Sequence, residues 1–240
     1  MQVPEPREVR ARVERVLDLT ADVREVRLRL VEPARLPFLP GQYADFRIRG
    51  ALGETEERGF SIASEPEEEG LLFAAKVLPH GIAGPFLRAL EAGAEVRLRA
   101  PLGRFVLGED GGRPRIFVGT GTGIAPLRGM LRHLLLRRRE TRPVTLLFGV
   151  RDASDVFWEE TFRALEAAHG NFRFLLTLSQ PPPGWGGERG RVTDHLGRLA
   201  PDPGAFEVYV CGRPAMVEEV SRWFLERGCE PARLHRERFD

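Results

Sequence analysis

A chain of 240 residues, 42% of them hydrophobic, can bury two modest cores, and a formal net charge of +1 provides no global field to draw it to nucleic acid or anionic lipid. No apolar run approaches the ~20 residues that cross a bilayer, and the first ten residues, MQVPEPREVR, hold no apolar signal core, so a cytoplasmic protein is expected. Two cysteines, Cys211 and Cys229, are too few for a four-cysteine iron–sulfur or zinc site, and the histidines are scattered, so no metal centre is expected and any cofactor is held by non-covalent contacts.

The first half reads as strands. Val26, Leu28 and Leu30 alternate with Arg27 and Arg29; Phe46 and Ile48 alternate with Arg47 and Arg49; Val96 and Leu98 alternate with Arg97 and Arg99. Period two with one apolar face marks half-buried antiparallel strands. The turn-forming stretches LPFLPGQ, EPEEEG, LPHG and APLG separate the runs, as in a small barrel or sandwich. One short helix is predicted over PFLRALEAG, with Pro85 near its start and Gly93 just past its end. The stretch GEDGGRP then reads as a linker.

Beyond it the rhythm changes. RIFVG is a short apolar strand. Leu127, Met130, Leu131, Leu134 and Leu135 fall at helical spacing, with Arg128, Arg132 and Arg137 opposite. VTLLFGV reads as strand, DVFWEETFRALEAAHG as helix and FRFLLTL as strand. After the loop QPPPGWGGERG come a short helix (VTDHLGRLA), the strand EVYVC, the helix AMVEEVSRWFLERG and a last strand in ARLHRERFD. Strands alternating with helices predict a parallel sheet covered on both faces. The expected architecture is two domains: an antiparallel β-barrel over residues 1–108, a linker over 109–114, and an α/β domain with a parallel sheet over 115–240.

Two loops at strand ends carry the chemistry of a ligand site. In FVGTGTGIAP, residues 117–126, glycines recur at every second position before a helix start. Such a loop lets backbone amides approach a phosphate and points the positive end of a helix at it. The loop lacks the Gly-Lys-Ser/Thr of a Walker motif, and its G-x-G-x-G spacing is not the G-x-G-x-x-G of a Rossmann fingerprint. Cys211-Gly212-Arg213-Pro214 forms a second strand–glycine–helix junction. Two such junctions in one sheet suit a ligand with two ends, although each alone is equally an ordinary turn. In the first half, Arg58-Gly59-Phe60-Ser61 places Arg58 and Phe60 on one side of a strand and Ser61 on the other. His80-Gly81-Ile82-Ala83-Gly84-Pro85 is a further glycine loop before a helix. Nearly all the positive charge is arginine; Lys76 is the only lysine and Asn171 the only asparagine. Heat adaptation and a GC-rich genome both produce that bias.

Taken in order, Arg-x-aromatic-Ser, Gly-Thr-Gly-Ile-Ala-Pro, Cys-Gly-x-Pro and a C-terminal Glu-x-Phe resemble the ferredoxin–NADP⁺ reductase superfamily, over nearly the whole chain. Within it the chain looks most like stand-alone flavin reductases and oxygenase reductase components. The resemblance implies an FAD-binding barrel and an NAD(P)-binding α/β domain. Arg58, next to Gly59, would pair with the FAD pyrophosphate; Phe60 would pack on the isoalloxazine ring; Ser61 would hydrogen-bond flavin N5. Lys76 and Val77 would lie towards the adenosine end. Gly81, Ile82, Ala83 and Gly84 would hold the pyrophosphate by backbone amides. The family commonly has Ser or Thr where Gly84 stands, and often Tyr where Phe60 stands. Gly121, Thr122, Gly123, Ala125 and Pro126 would receive the nicotinamide dinucleotide, together with Arg151, Gly212 and Arg213, and Thr122 would also touch the flavin. Cys211 would face the nicotinamide, Glu237 would return to the flavin, and Phe239 would cover its ring.

The implied activity is hydride transfer from NAD(P)H to FAD N5, with electrons passed to a separate acceptor: a ferredoxin, an oxygenase component or free flavin. Ser61, Cys211 and Glu237 are the catalytic candidates. Alternatives are a flavin reductase that releases its flavin, an electron-transfer subunit without independent turnover, and a flavin- or nucleotide-binding sensor. Ser179-Gln180, after FRFLLTL, leans towards NADH because NADPH-using relatives often carry a basic residue there; Arg151, Arg189 and Arg191 keep NADPH open.

Overall fold

The computed structural model describes residues 4–50, 53–109 and 111–239. The chain forms two compact units, Met1–Leu107 with Arg128–Arg137, and Gly108–Leu127 with Arg138–Asp240.

The first unit contains six strands: β1 (Arg7–Asp18), β2 (Val23–Glu32), β3 (Tyr43–Arg49), β4 (Thr55–Ser61), β5 (Leu71–Lys76) and β6 (Glu95–Leu102). They form one antiparallel sheet in the order β4-β3-β6-β1-β2-β5. Alternation decides which face turns in: Val9, Ala11 and Val13 of β1 and Ala44, Phe46 and Ile48 of β3 are buried, while Arg10, Arg12, Arg47 and Arg49 are exposed. The two edges of the sheet meet just past β4, where the Ala63 N–H donates to the Leu72 carbonyl at 2.7 Å, so the sheet curls into a barrel. Strand β5 is buried at every residue from Leu71 to Ala75 and shows no period-two pattern. A short helix, α1 (Ala83–Ala89), buries Leu87 into the barrel core, with Ile82, Ala83 and Phe86 packed against the same cluster.

The second unit is a parallel sheet of β7 (Arg115–Thr120), β8 (Val144–Val150), β9 (Phe172–Leu178), β10 (Glu188–Arg189), β11 (Glu207–Gly212) and β12 (Leu234–Arg238), in the order β10-β9-β8-β7-β11-β12. The chain moves from β7 outwards to β10 and then returns to the other side of β7. The strand order therefore reverses between β7 and β11, the place where open α/β sheets bind ligands. Helices α4 (Val192–Leu199) and α5 (Pro214–Leu225) cover one face, burying Val192, Leu196, Val217, Val220 and Phe224 against Ile116, Val118, Leu147, Val208 and Val210. Helix α3 (Glu159–Ala168) packs along β9, and Phe162 meets Phe174 at 5.2 Å.

Two helices differ from the sequence expectation. The helix expected over DVFWEETFRALEAAHG begins only at Glu159. Trp158 before it is left-handed, with φ +58°, and an isolated 3₁₀ turn at Ala153–Asp155 is capped by Asp152, whose carboxylate accepts the Ser154 N–H at 2.9 Å. Helix α2 (Ile124–Arg132) gives way to a π-helical turn at His133–Arg137.

Candidate functional site

In the first unit the site residues hang from an edge strand. The β3–β4 register pairs Phe60 with Ala44, Arg58 with Phe46 and Glu56 with Ile48. Opposed residues in a ladder share a face, so Glu56, Arg58 and Phe60 all lie on the inward side of β4. Phe60 meets Phe46 edge-to-face at 5.2 Å, and Phe46 also touches Phe73 at 5.0 Å and Phe86 of α1 at 6.4 Å. One buried ring thus fixes both the Arg58–Ser61 strand and the helix that follows the glycine loop. Ser61 is buried and faces the other way, opposite Tyr43. Gly59 stands opposite Asp45, where a Cβ would come within 3.3 Å of the Tyr43 ring. Arg58 is half exposed, forms an ion pair with Glu56, and donates through Nη1 to the Glu57 carbonyl at 2.9 Å.

Lys76 closes β5 and pairs with Asp22 at 2.9 Å. Burial pushes the Asp22 carboxyl up, but hydrogen bonding and charge from Lys76, helped by Thr20, outweigh it and leave it below the usual range. The Val77 N–H donates to the Asp22 carbonyl at 2.7 Å.

The loop that follows leaves its backbone open. Gly81 has φ +79° and open space where a side chain would stand, and Ile82 caps α1 without a side-chain hydrogen bond, so the leading amides are not consumed by a cap. Gly84 is different. A Cβ there would lie 1.9 Å from the Leu78 carbonyl oxygen. The Ser or Thr usual in the resembling family cannot fit this backbone.

In the second unit, β7 runs out at Thr120 into a 3₁₀ turn, Gly121–Gly123, from which α2 starts at Ile124. Gly121 is left-handed at φ +52° with nothing within 4 Å of its missing side chain. A Cβ on Gly123 would sit 2.4 Å from the Cys211 carbonyl oxygen and 2.7 Å from Gly212 Cα. Gly212, at φ +148°, is closed off in turn by Thr120 Oγ1, 2.4 Å from its absent Cβ. The two glycine loops are therefore packed against each other at the point where the strand order reverses. Ala125 and Pro126 are buried in the first turn of α2, Thr122 is half-buried, and Arg213 is exposed at the start of α5.

Cys211 is fully buried and lies opposite Glu237 in the β11–β12 register. Burial, and secondarily the Glu237 charge, push its thiol well above the ordinary value, so it is a neutral thiol and no nucleophile at neutral pH. The Phe239 N–H donates to the Gly212 carbonyl at 2.9 Å, which ties the chain after β12 to the same loop. Arg151, exposed at the end of β8, faces Asp152 at 3.5 Å and Asp155 at 3.9 Å. The exposed Ser179 and Gln180 continue β9 alongside it, donating from their N–H groups to the Val150 and Arg151 carbonyls at 3.1 and 2.7 Å. Arg189 is turned to the Trp185 carbonyl at 2.7 Å.

The sequence candidates thus gather into two sets, one in each unit. Two residues that sequence reasoning passed over belong with the first set: Phe46, which the alternation marked only as core, and Glu56, whose place beside Arg58 follows from strand period once the register is known. One further group, Glu65, Glu67 and His133, brings ligand atoms within 4.8 Å of one another. Its carboxylates are already engaged, Glu65 by Arg137 at 3.1 Å and Glu67 by His133 at 3.1 Å, so it reads as an ion-pair network.

Comparison with known proteins bears on each half of the chain. The oxidoreductase FAD-binding domain model matches residues 10–107, and the oxidoreductase NAD-binding domain model matches residues 117–222. The reductase component of propane 2-monooxygenase from Rhodococcus jostii is 38% identical over 218 residues, covering 88% of this chain and 58% of that protein. Ferredoxin–NADP reductase B of Sorangium cellulosum is 34% identical over 241 residues, covering 96% of this chain and 97% of that protein. Among solved structures, an Amycolatopsis cytochrome P450 reductase superposes with a TM-score of 0.89 at 36% identity, covering 98% of this chain and 70% of that one. The chain therefore spans less than two thirds of the first relative and nearly all of the second. With both domain models matched in order, and with relatives of this identity over almost all of its length, the chain belongs to the ferredoxin–NADP⁺ reductase family of oxidoreductases, which bind FAD and NAD(P)H.

Proposed function

We propose that this protein oxidises NAD(P)H through bound FAD and passes the electrons to a separate protein acceptor, an oxygenase component or a ferredoxin. The observation that carries the proposal is the seating of Gly123 on the Cys211 carbonyl, which joins two otherwise ordinary turns into one ligand platform at the reversal of strand order. The kind of acceptor is suggested by the propane monooxygenase relative, whose name makes it the reductase of an oxygenase system. We assign FAD to the barrel, up to residue 108, and the nicotinamide dinucleotide to residues 115–240, with 109–114 as linker.

Bound FAD would supply two-electron and one-electron redox chemistry. The protein's part is to bind, orient and exclude water. Arg58 and the amides from Gly81 to Gly84 would hold the pyrophosphate. Phe60, braced by Phe46, would support the ring, and the buried Ser61 hydroxyl would hydrogen-bond N5. The amides of Gly121 to Gly123 would hold the nicotinamide dinucleotide. Cys211, kept neutral by burial, would bound the nicotinamide pocket with a compact wall that neither donates charge nor admits water. Free thiols at Cys211 and Cys229 support a reducing, cytoplasmic compartment.

An anaerobic visible spectrum of the purified protein, recorded as NADH and then NADPH are added, tests this reading. Flavin absorption that bleaches with one of them is the expected result. Colourless protein that oxidises NAD(P)H only when FAD is supplied would mean that flavin is a substrate. No oxidation with FAD present would sink the catalytic assignment.

A further inference from the structure

The two cations proposed to face the flavin, Lys76 and Arg58, each already have a carboxylate. Lys76 is paired with Asp22 at 2.9 Å, and Arg58 with Glu56. The second pair matters more, because Glu56, Arg58 and Phe60 follow one another at every second residue on the same face of β4, with Ile48, Phe46 and Ala44 as their register partners. Glu56 thus lies on the very face that would meet the flavin. Glu57, next in sequence, points the opposite way, towards Arg47 at 3.9 Å. Arg58 and Glu56 are each a little under half exposed, which makes their pair weak enough to open. Gly84 cannot carry a hydroxyl, since any Cβ there meets the Leu78 carbonyl, so the loop offers a pyrophosphate backbone amides and no hydroxyl, with Arg88 Nη1 3.5 Å from where that Cβ would stand.

We propose that Glu56 is a built-in competitor for the flavin pyrophosphate: it occupies Arg58, must be displaced when FAD binds, and so holds down FAD affinity and weakens discrimination among flavins by their phosphates. The inference rests on the assignment of Arg58 to the FAD pyrophosphate. It makes flavin exchange a property set by one side chain. Binding exchanges one ion pair for another, so FAD affinity should depend little on salt.

The test is titration of the full chain, freed of flavin, with FAD and with riboflavin, followed by flavin fluorescence and equilibrium dialysis. In Glu56→Gln, FAD is expected to bind about two- to fivefold more tightly, the size of an exposed ion pair. Its salt dependence should steepen, because binding now creates a pair that was not there before. Riboflavin, which has no phosphate, should bind as before. In an Arg58→Ala background the Glu56→Gln gain should vanish. Unchanged FAD affinity in Glu56→Gln overturns the proposal. So does a gain that persists in Arg58→Ala, which would make Glu56 a through-space repeller and not a competitor. If Arg58→Ala alone binds FAD as tightly as the parent, with the same salt slope, the pyrophosphate assignment fails instead. If no variant binds either flavin, the function proposed above fails.

Discussion

Gly84 and Gly123 look like Gly81 and Gly121 in the sequence, each a glycine near a helix start, and differ from them in backbone conformation and in what lies beside them. The latter two have left-handed backbones and open space. The former two abut a carbonyl, Leu78 for Gly84 and Cys211 for Gly123, at 1.9 and 2.4 Å from where a Cβ would be. Backbone cannot swing aside as a long side chain can. Gly84→Ser is therefore expected to destabilise the protein by about 1–3 kcal/mol, the usual cost of overpacking, seen as a lower urea midpoint at unchanged slope. The same variant should not tighten FAD, although it adds a hydroxyl to the loop. Tighter FAD at full stability would show that the loop yields and that the clash is illusory. Nothing local in the sequence marks this distinction. Arg58, Ser61, Cys211 and Glu237 are candidates because their motifs, taken in order, resemble those of a known family. Glu56 beside Arg58 and the Leu78 carbonyl beside Gly84 come into place only through strand register and loop packing.

Elements with one wet face were legible and elements without one were not. The alternation in β2, β3 and β6 survives folding because each turns one side to water. Strand β5 is buried throughout and carries no such signal. Helix α2 is the more instructive case, because the sequence spacing sets its arginines opposite the apolar stripe. Arg128 is instead 8% exposed. It donates to the Ala63 carbonyl at 2.7 Å and to Glu68 at 3.3 Å, while Arg132 reaches Glu68 at 2.6 Å. Burial pushes the Glu68 carboxyl up, but Arg128, Arg132 and Arg27 together outweigh it and hold it below the usual range. A carboxylate lowered on folding stabilises the native state above its ordinary pKa, and that contribution disappears as pH falls through the lowered value. Glu68→Gln leaves Arg128 buried beside a neutral partner, and a loss of about 3 kcal/mol is expected near neutral pH. Below about pH 4 the parent loses the same contribution, so the two stability curves should converge in acid. Chemical denaturation across that range measures this directly; curves that stay parallel would mean that Glu68 does not titrate with folding.

At the scale of the molecule, the change from an antiparallel to a parallel sheet was the most legible feature, because period-two strands and alternating strand–helix units bury their faces in incompatible ways. The donor was the least legible, since it depends on charges brought together at strand ends. At the end of β8, Arg151 stands between Asp152 and Asp155. Two hydrogen bonds from Ser154, with Arg151 adding to them, hold the Asp152 carboxyl below the usual range, so it is ionised at neutral pH. The neighbouring turn after β9 presents Ser179 and Gln180, neither of them a cation. A 2′-phosphate arriving beside Arg151 would meet two carboxylates that already share this arginine, and Arg189, paired with Leu178, is turned to the Trp185 carbonyl, whereas the 2′-hydroxyl of NADH would meet acceptors. NADH is therefore the expected donor, with the larger kcat/KM. Asp155→Asn removes one negative charge and loosens the hold on Arg151, so it should raise kcat/KM for NADPH severalfold and leave that for NADH nearly unchanged. The gain should shrink at high salt, because Arg151 is exposed and both carboxylates are only half-buried. A parent enzyme that prefers NADPH would refute the reading outright. A variant that gains equally with both donors would show that Asp155 acts on the pyrophosphate or adenosine common to them and not on the 2′ position.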